Sequence, residues 1–212
     1  MEQKVCHIIC AGSGHKLAIK PKKGDLVLVA DGGYKKLINT DIKVDFLIGD
    51  FDSLFNLPTF ENIIRLPKEK DFTDTMYCVN EGIKAGYQVF NIYFATGGKR
   101  IDHSIANMQI LLYLANLGKI GYIFSGNQVV TAIKNTCLKF SEKASGFVSI
   151  FASSDIAKNV KISGLKYEFQ GDLKNDFALG VSNEFCGKNS VIEVENGILT
   201  VVFYKKCLKY TF

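Results

Sequence analysis

Leu26-Val27-Leu28-Val29-Ala30-Asp31-Gly32-Gly33 is a run of five apolar residues stopped by a carboxylate and two glycines. An apolar run with no polar alternation marks a strand covered on both faces, as in a parallel sheet. The pattern repeats on either side. Residues 5–10 form an earlier strand, residues 46–48 lead into Gly49-Asp50-Phe51-Asp52-Ser53, and residues 89–95 lead into Gly97-Gly98-Lys99-Arg100-Ile101-Asp102-His103. Residues 121–124 read as a fifth strand. Helices fit between them. Thr73 caps one that runs to about residue 85, with Met76, Val79 and Ile83 on one face and Gly86 as its stop. A second begins near His103, carries Ile105, Met108, Leu111, Leu112 and Ala115 as its apolar stripe, and ends at Gly118. Strands alternating with helices predict an α/β domain with a mostly parallel sheet over residues 1–135.

After about residue 133 the alternation stops. No helix is expected beyond Cys137. Short alternating runs cover residues 147–151, 160–162, 165–169, 191–194 and 199–204. Ser163-Gly164, Gly171-Asp172, Cys186-Gly187 and Asn196-Gly197 separate them as turn signals. Asn-Gly between two strands predicts a hairpin. Residues 136–212 are therefore expected to form a small all-β, sandwich-like domain.

The chain has 212 residues, 47% of them hydrophobic, which is enough for a sizeable core. No apolar run reaches the roughly 18 residues of a membrane helix, and residues 1–5 lack the pattern of a signal peptide. A cytoplasmic protein without a membrane partner is expected. Of its six cysteines none forms a CxxC pair, so reduced buried thiols are expected rather than disulfides or zinc. The net charge of +5 is scattered, with small lysine groups at residues 20–23 and 205–209. A nucleic-acid surface would need a denser stripe.

The acidic clusters carry the chemistry. Asp50 and Asp52 are two apart at a strand end, so they face the same way in extended chain. Side by side they repel unless a cation sits between them. Mg²⁺ is the natural choice, since it prefers hard oxygen ligands and keeps phosphate in its shell. An Asp-rich turn is the plain alternative. The second acidic pair, in Asp71-Phe72-Thr73-Asp74, favours metal, with Asp74 as a third oxygen ligand. Asp74 also suits the helix dipole on its own, and Asp71 could orient a lysine or a water. Asp31-Gly32-Gly33 lets a ligand approach the backbone, with Asp31 accepting from a ribose or base; a tight strand–helix turn explains the glycines equally. Gly12-Ser13-Gly14 resembles a truncated phosphate loop without the full glycine pattern. Arg100 can clamp phosphate bidentately. His103 is either a general base or a hydrogen-bonded loop anchor.

Taken together, Asp31-Gly32-Gly33, Gly49-Asp50-Phe51-Asp52-Ser53, Asp71-Phe72-Thr73-Asp74 and Asp102-His103-Ser104-Ile105-Ala106-Asn107 resemble the thiamine pyrophosphokinase family. Gly180-Val181-Ser182-Asn183-Glu184-Phe185 is similar to the family's substrate-side loop. The resemblance covers nearly the whole chain. It implies transfer of pyrophosphate from ATP to the hydroxyethyl oxygen of thiamine, giving thiamine diphosphate and AMP. It implies Mg²⁺ on Asp50, Asp52 and Asp74, and a nucleotide held by Asp31, Gly32, Asp71, Thr73, Arg100, Asp102 and His103. Ser182 and Asn183 would meet thiamine's polar edge, and Phe185 would stack on its pyrimidine. It further implies a homodimer. The chain departs from the family pattern by the additional Lys99 before Arg100, by Tyr77 where some members carry lysine, and by having no tryptophan. A pyrophosphokinase acting on another alcohol such as a pterin, and a non-catalytic nucleotide- or thiamine-binding regulator, are the alternatives.

Overall fold

The computed structural model describes residues 3–14, 19–38, 40–51 and 62–211. The chain divides into two compact units, Met1–Ile110 and Leu111–Phe212. In the first, β1 (Val5–Ile9), β2 (Leu26–Ala30), β3 (Phe46–Gly49), β4 (Ile63–Arg65) and β5 (Val89–Tyr93) stand in the order β5-β1-β2-β3-β4. Every neighbouring pair among these five strands is parallel, with Cys6 opposite Leu26, Val5 opposite Val89, Leu28 opposite Phe46 and Leu47 opposite Ile63. The chain steps outward from β1 to β4, then returns to the far side of β1 for β5. Ligands of open α/β sheets bind at the carboxyl ends of strands beside such a reversal.

Burial explains these strands. Cys6, Ile8, Ile9, Leu28, Val29, Leu47, Ile48, Phe90 and Ile92 are completely buried. Each such large apolar side chain removed from water contributes about 1.5–3 kcal/mol. Helix α1 (Asp74–Lys84) lies against β1, β2 and β3. It is capped by Thr73, whose Oγ1 accepts from the Met76 N–H at 3.2 Å. It stops at Gly86, which adopts φ 87°. Its buried face is Thr75, Cys78, Val79 and Gly82, one step round from the expected Met76–Val79–Ile83 stripe. The small residues win because the helix sits close: a Cβ on Gly82 would lie 2.7 Å from the Phe90 ring and 2.8 Å from the Cys6 sulfur.

Helix α2 (Ile101–Asn116) starts two residues before His103. Asn107, Ile110, Leu111, Leu114 and Ala115 are its buried residues, whereas Ile105 is 57% exposed. This corrects the expected stripe. The helix is apolar on most sides, so periodicity alone could not choose a face.

The second unit is antiparallel. The expected fifth strand, β6 (Ile120–Ser125), pairs with β7 (Gln128–Lys134) as an antiparallel hairpin across Gly126 and Asn127. There follow β8 (Cys137–Phe140), β9 (Ser145–Ala152), β10 (Ile156–Ser163), β11 (Phe169–Lys174), β12 (Gly180–Cys186), β13 (Ser190–Asn196) and β14 (Ile198–Tyr204). They form two arrays, β12-β9-β14-β7-β6 and β11-β10-β13-β8. A common core joins them, with Val148, Val201 and Phe203 from one array and Val160, Ile192 and Val194 from the other. Phe140 meets Phe203 edge-on at 5.1 Å between ring centroids. Among the described residues no α-helix follows α2, and a 3-10 turn at Lys205–Tyr210 follows the last strand.

Two expected turns are corrected. Asn196-Gly197 is no hairpin: β13 pairs with β8 and β10, while β14 pairs with β7 and β9. The dipeptide turns the chain from one array into the other. Gly197 suits this corner because a Cβ there would lie 2.6 Å from Ser154 Oγ and 2.9 Å from Ala157 Cα. Gly171-Asp172 lies inside β11 beside a register shift in its partner β10, so the strand runs over residues 169–174 and not 165–169.

Candidate active site

The loops after β1, β2 and β5, with the starts of α1 and α2, line one cleft in the first unit. Close backbone approach shapes it. The Gly12 N–H donates to the Phe94 carbonyl at 2.7 Å, and the Ser13 N–H to the Thr96 carbonyl at 2.9 Å. A Cβ on Gly12 would fall 2.4 Å from that Phe94 oxygen. Gly32 and Gly33 are buried. A Cβ on Gly49 would sit 2.8 Å from the Asp31 Cβ, so β3 ends directly against Asp31. Asp31, Phe51 and Phe94 each take positive φ, at 38°, 62° and 54°. Left-handed backbone at non-glycine residues is unfavourable and concentrates at functional sites. Here it occurs just after β2, β3 and β5.

Two of the expected metal ligands converge. Asp50 follows β3, and Asp74 opens α1, held there by the Thr73 cap. Both meet the ammonium of Lys70, at 3.1 Å for Asp50 Oδ2 and 2.6 Å for Asp74 Oδ1. The three side chains are 18%, 22% and 10% exposed. Burial raises the Asp74 carboxyl above its ordinary pKa, Lys70 pulls it back, and the nearby charges of Asp31 and Asp50 push it up again. Like charges facing one another in a half-buried site call for a cation, and the ammonium fills that role. A donor set that already gathers round one cation suits a hard ion such as Mg²⁺. Among the described residues no three His, Cys, Asp or Glu side chains form a ready metal cluster. Asp52 lies outside the described residues. Asp71 is exposed just before the cap. Lys70 is not marked by the sequence: it precedes α1, so helical i,i+4 pairing does not signal its contact with Asp74.

Gly97, Gly98, Lys99 and Arg100 line the same cleft as Asp74. The Gly97 N–H donates to Ser104 Oγ at 3.1 Å, and Asn107 Nδ2, which is buried, donates to the Ala95 carbonyl at 2.7 Å. These two bonds fasten the glycine loop to the first turns of α2. Arg100 Nε donates to Asp102 Oδ1 at 2.9 Å and Nη2 to Oδ2 at 2.5 Å. The guanidinium holds the exposed Asp102 carboxyl down to about 2. Lys99, Arg100 and His103 all line the cleft. Lys36 is a further cation the sequence reading did not mark: its Nζ donates to the Gly14 carbonyl at 2.6 Å and lies 5.0 Å from the Phe94 ring centroid. Cys10 also lines the cleft, but burial pushes its thiol up to about 12, so it stays protonated.

The expected thiamine-side residues lie on β12, beside a register shift between Gly180 and Asn183. Ser182 is exposed, takes φ 57°, and its N–H donates to Ser149 Oγ at 3.0 Å. Asn183 is 5% exposed. Its Nδ2 donates to the Tyr167 carbonyl at 2.7 Å, and its Oδ1 accepts from the N–H groups of Tyr167 and Glu184. The amide thus braces the loop before β11. The Phe185 ring packs edge-on against Phe140 at 4.9 Å.

Two family models match the chain. Residues 20–120 match the thiamin pyrophosphokinase catalytic domain, and residues 135–199 match the thiamin pyrophosphokinase vitamin B1 binding domain. No curated protein sequence gives a significant match. Among solved structures, thiamine pyrophosphokinase from Bacillus subtilis superposes with a TM-score of 0.82 at 18% identity, over 95% of this chain and 99% of that one. Thiamin pyrophosphokinase from Geobacillus thermodenitrificans gives 0.80 at 23% identity, over 96% and 100%. The Candida albicans enzyme gives 0.73 at 16% identity, over 96% and 90%. At these identities the structures speak for the fold, and the two domain models, matched in chain order, carry the assignment: the chain belongs to the thiamin pyrophosphokinase family.

Proposed function

We propose that the chain is a thiamine diphosphokinase, which transfers pyrophosphate from ATP to thiamine. The observation that carries the reading is the meeting of Asp50 and Asp74 on one cation beside the glycine-lined cleft, in a chain matched by both domain models. The thiamine hydroxyl oxygen bonds to the β-phosphorus and gives up its proton to water, the bond from that phosphorus to the α–β bridging oxygen breaks, and AMP leaves with that oxygen and its electron pair. Such transfer depends on alignment and charge neutralisation more than on a strong base. Asp50, Asp52 and Asp74 would hold Mg²⁺, which when bound neutralises charge on the transferred group. Arg100 exchanges its Asp102 partner for phosphate oxygens. Asp31 and Gly32 face the nucleoside, while Thr73 caps the start of α1.

In this reading residues 1–135 are the catalytic domain and residues 136–212 take up thiamine along the strand of Ser182, Asn183 and Phe185, where Ser182 is exposed and Asn183 and Phe185 pack behind it. The protein acts as a cytoplasmic homodimer. Among the described residues no helix is long and apolar enough to cross a membrane. Ile101 and Ile105 on α2, and Phe177, Leu179 and Val181 near β12, are exposed apolar side chains that a second copy would cover. The test is AMP release from ATP and Mg²⁺ by the purified protein, with and without thiamine. Thiamine-dependent AMP with thiamine diphosphate as co-product is expected. Nucleotide binding without thiamine-dependent AMP would overturn the reading.

A further inference from the structure

We infer that Lys70 is a positioning residue that competes with the divalent cation for the same carboxylate oxygens, so that cation binding displaces its ammonium. The inference rests on the proposed pyrophosphokinase reading for the identity of the cation. Its geometric basis is independent of that reading.

The Lys70 Nζ touches Asp50 at 3.1 Å and Asp74 at 2.6 Å. These carboxylates come from different elements, the end of β3 and the first turn of α1. A single ammonium therefore bridges the two sides of the site. At 10% exposure the lysine side chain is fastened into the wall and does not wave in solvent. A surface ion pair is worth little, but a half-buried ammonium held by two acids leaves them uncompensated when it departs. A divalent ion seeking Asp50 and Asp74 must supply what the ammonium supplied. Both cannot occupy the oxygen pair at full strength.

This arrangement has a consequence for order of binding. A bare cation gains the carboxylates but must evict Lys70. A cation arriving with nucleotide phosphates brings anionic oxygens that can receive the evicted ammonium. Cation and nucleotide then strengthen each other's binding, and the coupling is reciprocal. The lysine thus favours the metal–nucleotide complex over either component alone.

Mn²⁺ serves as the probe, its free concentration read by electron paramagnetic resonance with purified full-length protein. Without nucleotide, Lys70→Gln should bind Mn²⁺ about tenfold more tightly than wild type, within the usual range of coupling between sites. The gain that ADP gives to Mn²⁺ affinity should shrink in the same variant. If Lys70→Gln binds Mn²⁺ no more tightly than wild type, the inference is wrong. A second measurement needs no variant. Mn²⁺ should accelerate reductive methylation of Lys70 in the wild-type protein about tenfold, by freeing its amine from Asp50 and Asp74. An unchanged or slower rate refutes the displacement even if Lys70→Gln fails to fold. Neither readout involves thiamine or AMP, so failure here leaves the proposed reaction standing, and failure of the reaction leaves these results interpretable.

Discussion

Gly49→Ala tests the architecture of the site at its tightest point. The added methyl would lie 2.8 Å from the Asp31 Cβ and 2.9 Å from its Cα. Comfortable carbon contacts are about 3.5–4.0 Å, so the end of β3 and the turn after β2 must separate by more than half an ångström, roughly the shortfall from that range. Neither atom belongs to the far end of a flexible side chain, and the strain falls on backbone. Overpacking of this kind costs about 1–3 kcal/mol, which lowers Tm by roughly 2–12 °C in a chain of this size. The displaced residues are Asp31 and, next in sequence, Asp50. Misplacing reacting partners by about 1 Å reduces turnover by roughly a hundredfold, so AMP release should fall about 10- to 100-fold. The assay pairs thermal melting by circular dichroism with initial rates of thiamine-dependent AMP formation. Gly86→Ala is the control. It has φ 87° but no atom within 4 Å of its new methyl, so it should lose about 1 kcal/mol of stability with turnover unchanged. Gly49→Ala that melts and turns over like wild type would refute the close approach. Equal loss of turnover in Gly86→Ala would show that destabilisation alone explains the effect.

Thr73→Ala removes the cap on the Met76 N–H and should destabilise by about 0.5–2 kcal/mol in urea melts, while Thr73→Ser stays close to wild type. Asn107→Ala takes the buried donor from the Ala95 carbonyl; a loss of about 1–3 kcal/mol, with a raised KM for ATP from the loosened glycine loop, is expected from melts and kinetics. His7 is buried between Asp25 and Tyr93, and burial lowers its pKa below 6.5 although Asp25 opposes this. Its unfolded form takes up a proton before the folded form does, so stability should fall as pH drops from 6.5 to the folded pKa and level off below it. His7→Gln should flatten that window in pH-dependent urea melts, leaving a separate acid limb below pH 3.8 from Asp25, whose pKa is lowered.

The parallel half of the fold was open to reading because its strands are buried on both faces. That leaves runs such as Leu26–Ala30 with no polar residue to confuse the period. Helix faces were harder. In α1 the sheet-facing residues are small, and Gly82 carries no hydrophobic signal although it permits the closest contact. The corner at Asn196-Gly197 shows a different limit. The dipeptide marks a turn, yet which strands pair afterwards depends on the partners offered by β7, β8, β9 and β10. Turn chemistry describes four residues and is silent about pairing. The same holds for β11, where Gly171 sits within a strand because the register shift in β10 accommodates it.

For the site, sequence spacing brings out charges but not their neighbours. Asp50 and Asp74 stand out because carboxylates at strand and helix ends must be compensated. The compensating Lys70 looks like any solvated lysine until the chain folds. Its side chain reaches Asp74 across the Thr73 cap, and reaches Asp50 only because β3 ends alongside. Asn183 illustrates the converse. A polar residue in a substrate-side loop invites a ligand contact, yet its amide is engaged by the Tyr167 backbone on both sides. Asn183→Ala would therefore disturb thiamine binding and loop stability together. Ser182, exposed and in left-handed backbone, can be changed with less structural consequence. If thiamine contacts this strand, Ser182→Ala should raise the KM for thiamine while leaving Tm within about 1 °C, as for a typical surface substitution. An unchanged KM would move the thiamine contact away from Ser182.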